Sequence, residues 1–160
     1  MKRLTALILL LAMLLSGCSS IKESVRFYYV RRDYQSTLEE VIVSEKREAS
    51  GHEGDLSYLL TLYLMGPSDD SLRCLLPLGI SVKSAFNQDG SLEVQLADTS
   101  KTLSDSDFSL ACACLAMTCM NISQASEIHI TSGSRSITMN RNNLILYDNI
   151  TDTAATEVTK

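Results

Sequence analysis

The 160-residue chain has no tryptophan, and phenylalanine and tyrosine together supply 6% of it, so a stacking platform for carbohydrate rings has almost nothing to be built from. Histidine is scarcer still, with two copies at His52 and His129. No His-Glu-x-x-His pair, glycine-rich phosphate loop or Gly-x-Ser-x-Gly elbow occurs, which leaves the common metal-protease, nucleotide and serine-hydrolase chemistries without their residues. Positive charge is also short: 14 lysines and arginines against 19 acids give a net charge of -5. Nucleic acid and anionic lipid headgroups are poor partners for such a surface.

What is present begins at the N-terminus. Lys2-Arg3 precede an apolar run from Leu4 to Leu15, and Leu15-Ser16-Gly17-Cys18 closes it. A basic start, an apolar core and small residues before a cut make a secretory signal. A cysteine directly after the cut makes it a lipobox, with cleavage between Gly17 and Cys18 and a diacylglyceryl group on the Cys18 thiol. An apolar core of 12 residues is short for a permanent membrane span. The expected organisation is a signal peptide over residues 1–17, a lipidated spacer over 18–24, one domain over 25–148 and a disordered tail over 149–160. Removal of the signal takes Lys2 and Arg3 with it, leaving 143 residues at a net charge of -7. Attachment to the extracytoplasmic face of the cell membrane then rests on acyl chains (palmitate-type lipid), of which two or more anchor stably.

Along the domain, Val25–Val30 and residues 38–48 read as strands. Asp55 caps a helix to Met65, with Leu56, Leu59, Leu60, Tyr63 and Leu64 on one face, stopped by Gly66-Pro67. Ile80–Phe86 and Ser91–Leu96 alternate apolar and polar residues around Asp89-Gly90, a hairpin signal. A second helix over Asp105–Asn121, capped by Ser104, is apolar all round, so it is buried on both sides or meets a partner. Strands at Glu127–Thr131, Ser136–Met139 and Leu144–Tyr147 close the domain. The order predicts an α+β fold: two helices packed on one face of a small, largely antiparallel sheet.

Candidate chemistry is thin. His52 stands in a glycine-bounded loop, and His129 alternates with Ile128 and Ile130, so both read as surface residues. Cys112, Cys114 and Cys119 fall in one helix, where positions two apart diverge and cannot converge on a metal. With Cys74 they read as buried thiols serving as small apolar residues, one Cys74 bridge to the helix being the alternative. Asp69-Asp70 and Asp105/Asp107 read as a turn and a helix start, and Glu39-Glu40 as a solvated strand edge. No catalytic residue, metal ligand or cofactor is expected.

Leu59-Leu60-Thr61-Leu62-Tyr63-Leu64-Met65-Gly66-Pro67 followed by Leu76-Pro77-Leu78-Gly79, the Asp-Gly hairpin with Val94 in its second strand, Thr118 and Gly133 together resemble the GerMN domain of bacterial sporulation and germination lipoproteins. The resemblance covers about residues 25–140. The family's Val-Asp-Leu-Ser strand ending is Val94-Gln95-Leu96-Ala97 here. The resemblance implies a fold similar to ring-building modules, whose copies can self-associate, and a non-catalytic assembly role in the envelope of a spore-forming Gram-positive bacterium.

Three functions follow in order. The first is a lipid-anchored protein that supports an envelope complex or peptidoglycan remodelling through protein partners, with Leu62, Met65, Met117 and Met120 as its exposed apolar surface. The alternative for these four is cover by the sheet and the other helix. The second function is a receptor for a small molecule or cell-wall fragment, and the third a carboxylate hydrolase using Asp69, Asp70, Asp105 and Asp107.

Overall fold

Asp89 and Gly90 both adopt positive φ, 52° and 86°, and turn the chain between two strands where the Asp-Gly pair places a hairpin. The computed structural model describes residues 24–35, 40–49, 51–99 and 101–142. In chain order these form β1 (Ser24–Arg31), β2 (Ile42–Glu48), α1 (Leu56–Leu64), β3 (Leu72–Arg73), β4 (Val82–Gln88), β5 (Ser91–Leu96), α2 (Asp105–Ser123), β6 (Glu127–Ser132) and β7 (Arg135–Asn140). Cys18, the signal, most of the spacer, the strand expected at Leu144–Tyr147 and the tail lie outside the described residues.

The fold is α+β. The single expected sheet is in fact two, ordered β2-β1-β3 and β4-β5-β6-β7. In the larger sheet β5 and β6 run parallel, and α2 is the crossover that such a pair requires; its other pairs are antiparallel. Leu92, Val94 and Leu96 of β5 stand beside Ile128, Ile130 and Ser132 of β6 and are buried, whereas the intervening Glu93, Gln95, His129 and Thr131 face outward. The sheet thus has one core face. Both helices lie against it, α1 at β4 and α2 at β6 and β7.

Both caps form as expected. The Asp55 carboxylate accepts from the Tyr58 N–H at 2.9 Å, and the Ser104 hydroxyl accepts from Asp107 N–H at 3.1 Å. Gly66, at φ 91°, follows the end of α1. The second helix runs two residues past Asn121 and ends at Gln124 in the left-handed region.

The remaining strand pair explains why α2 is apolar all round. β1 gives the flank away from β2 to two partners: β3 pairs with Val30 and Arg31, and α2 lies along the rest. There the Arg26 N–H donates to Asn121 Oδ1 at 3.0 Å and the Tyr28 N–H to Thr118 Oγ1 at 2.9 Å. Thr118 is fully buried and donates its own proton to the Cys114 carbonyl at 2.9 Å. A helix side chain thus does for β1 what a neighbouring strand would do. Thr118→Val keeps the shape but leaves the Tyr28 N–H without its acceptor, and is expected to cost about 1–3 kcal/mol in urea unfolding, with Thr118→Ser near wild type.

The four-residue apolar surface is corrected at two positions. Met117 and Met120 are buried, at 9% and 7% exposure, and α2 packs against β1 as well as against β6 and β7 of the larger sheet. Leu62 is half-buried against the core, and Met65 stays exposed at 71%.

Candidate functional site

The outer edge of β4 meets no strand among the described residues, and a groove of about 600 Å³ runs between it and α1. Its inner edge is occupied: β5 pairs along it, and Ala97 N–H donates to the Ser81 carbonyl at 3.0 Å. From α1 the groove receives Ser57, Leu60, Thr61 and Leu64, residues three and four apart and so on one helical face. Met65 and Leu78 stand at its rims, and Ile80, Val82 and Ala85 complete its apolar wall. Among the described residues Lys83 is the one charged side chain in the lining.

Local sequence explains each wall. Pro77-Leu78-Gly79-Ile80 makes a turn closed by the Ile80 N–H to the Pro77 carbonyl at 3.1 Å, with Gly79 at φ 80° in the position that demands it. Leu78 therefore sits at a turn corner and is 93% exposed, an unusual place for an aliphatic side chain. At the other rim, Arg47 of β2 donates to the Gly66 carbonyl at 3.2 Å and to Ser68 Oγ at 3.0 Å, while the Glu45 carboxylate accepts from Ser68 N–H at 3.0 Å. A cation thereby meets the C-terminal end of α1 and fixes the loop after Met65.

The other candidate residues are dispersed. Asp69 accepts from the Ser71 hydroxyl and N–H, at 2.7 and 2.8 Å, which hold its carboxyl below the ordinary range. Asp70 is exposed in the same turn. Asp105 faces Arg135 at 3.5 Å, and Asp107 accepts from Tyr34 and Ser104 hydroxyls. Glu40 is exposed, while Glu39 lies outside the described residues. His52 stacks on Tyr58 at 4.1 Å, and His129 shares a hydrogen bond of 2.7 Å with Thr138 on the outward face. Among the described residues no three His, Cys, Asp or Glu side chains gather to hold a metal.

Cys74, Cys112, Cys114 and Cys119 are free thiols, the last three buried. Burial pushes Cys112 and Cys119 up to about 12, with Arg135 pulling Cys112 back slightly, and pushes Cys114 higher. Burial also raises Cys74, against hydrogen bonds from Leu76 and Tyr63. These thiols stay protonated in the fold but ionise near pH 8.5 once the chain unfolds. Their contribution is complete below pH 8.5 and is lost as pH rises toward 12. The urea midpoint is thus expected to fall between pH 8.5 and 11, and alkylation of the helix thiols at pH 8 to need denaturant.

Met65 is legible in the sequence as an exposed apolar residue at the end of α1, whereas Leu78, Lys83 and the outer edge of β4 are not. An aliphatic residue before a turn glycine, as in Leu78-Gly79, was the available signal. Among the described residues no helix is long and apolar enough to cross a membrane. No family model matches the chain, and no curated protein matches it. A crystal structure of a Clostridium perfringens protein provisionally called a lipoprotein is similar over 76% of this chain and 87% of that one, at 18% identity and a TM-score of 0.47.

Proposed function

We propose that the chain is a lipoprotein held on the extracytoplasmic face of the membrane by diacylglyceryl-Cys18, whose domain binds protein partners and makes no bonds of its own. The observation that carries the interaction reading is the groove beside β4, where an open strand edge adjoins exposed Met65 and Leu78. Apolar surface beside unpaired backbone groups is what a partner can cover. The lipobox supports a position for this surface outside the cytoplasm. The resemblance to GerMN domains supports a role in an envelope complex, or in peptidoglycan remodelling, during sporulation or germination.

A photo-crosslinking residue at Met65 or Leu78, in intact envelopes, is expected to give discrete protein adducts that the same residue at exposed Lys46 of β2 does not give. Absence of adducts at both groove positions would end this reading. A volume of about 600 Å³ lies in the range of small-molecule sites and favours a second one, a receptor for a small molecule or cell-wall fragment. That reading predicts a thermal shift with muramyl peptides and no protein adducts.

A further inference from the structure

We propose that β4 and α1 form a strand acceptor, in which an extended segment of a partner protein, aliphatic at alternate positions and bearing a carboxylate, pairs with the outer edge of β4. This rests on the interaction reading above and adds the chemistry of the partner.

The conformation of the partner follows from the backbone. Every second residue of Val82–Gln88 turns its amide and carbonyl to the outer edge, a repeat of about 6.6 Å, and an extended chain is what meets such a row. A helical partner has spent those groups internally. Aliphatic character follows from the side of the edge nearest α1, where Leu64, Met65, Leu78 and Ile80 line the groove. Successive side chains of a strand alternate in direction, so every second residue of the partner meets these four.

The carboxylate follows from charge. The chain carries a net -5, yet among the described residues Lys83 is the single charged one in the lining, and no described acid accompanies it. An acidic segment gains there, and a basic one is repelled. The same residue argues against a second copy as occupant. The pairing of β4 with β5 shifts register between Val82 and Ser84, at Lys83, and two β4 edges brought together would place two lysines in one ribbon with no acid between them.

The test uses the full chain in detergent micelles and fluorescent nonapeptides alternating valine and threonine around a central residue. The glutamate-centred peptide is expected to bind at least tenfold tighter than the lysine-centred one, and Lys83→Glu to reverse that order. N-methylation of alternate amides is expected to abolish binding in one register and spare it in the other, the signature of edge pairing. Met65→Asp and Leu78→Asp, both at exposed positions, should each weaken binding about tenfold without altering the melting temperature. No binding, equal affinity for the two centres, or equal loss in both methylation registers overturns the inference; if the native adducts at Met65 persist, the interaction reading survives it. Binding that appears only after residues 143–160 are removed would make the chain's own tail the occupant, and an oligomer dissolved by Met65→Asp would make it a second copy. Either outcome also overturns the inference.

Discussion

Tyr63→Ala is expected to lower the unfolding free energy by about 3–5 kcal/mol and the melting temperature by on the order of 10 °C or more. Tyr63 is 1% exposed and stands where α1 meets β1. Its ring stacks on Tyr29 at 5.0 Å with 5° between the planes and meets the edge of Phe27 at 6.0 Å. The Tyr29 hydroxyl also donates to the Tyr63 carbonyl at 2.9 Å, so the two elements are joined by backbone as well as by rings. Truncation removes the rings' shared contacts and leaves a cavity that its neighbours cannot fill without moving α1. Against a total stability of about 5–15 kcal/mol for a domain of this size, the loss is large. Tyr63→Phe separates ring from hydroxyl and should cost less than about 1.5 kcal/mol. Tyr58→Ala, on the exposed side of the same helix, should cost less than about 0.5 kcal/mol. Urea unfolding of the three variants checks the order, and a Tyr63→Ala protein within about 1 kcal/mol of wild type would contradict the packing described here.

The second large effect is all-or-none. Cys18→Ala is expected to abolish incorporation of labelled palmitate in the native host, because in the proposed lipoprotein the Cys18 sulfur is the atom to which the lipid is attached. Membrane binding by acyl chains amounts to about 0.8 kcal/mol per buried methylene, and an acidic surface supplies no electrostatic substitute. Retention of label in the Cys18→Ala protein would remove the lipoprotein reading, whatever the domain does.

The elements were legible where local chemistry decides them. Asp89-Gly90 specified its hairpin, Asp55 and Ser104 capped their helices, and Gly66-Pro67 stopped the first one. Their assembly was less legible. A helix apolar on all sides has the same pattern whether it is buried twice or faces a partner, and Met117 and Met120 took the first course. That β1 pairs with β2 and β3 apart from the larger sheet depends on α2 occupying its flank, a contact some ninety residues distant in sequence. The two-residue β3 is too short to show any period. The site had the same difficulty. Lys83 and Leu78 are ordinary residues in a strand and a turn, and they acquire meaning because the order β4-β5-β6-β7 leaves β4 outermost.

Synthesis and export both proceed from the N-terminus, so the residues of β1 and β2 are available to pair before Thr118 and Asn121 arrive. During that interval the amides of Arg26 and Tyr28 have water for company, and one side of the ribbon is as adhesive as any bare strand. The nascent chain must be kept from its neighbours until its last third arrives, and conditions that slow the arrival of α2 are those under which aggregation begins at β1.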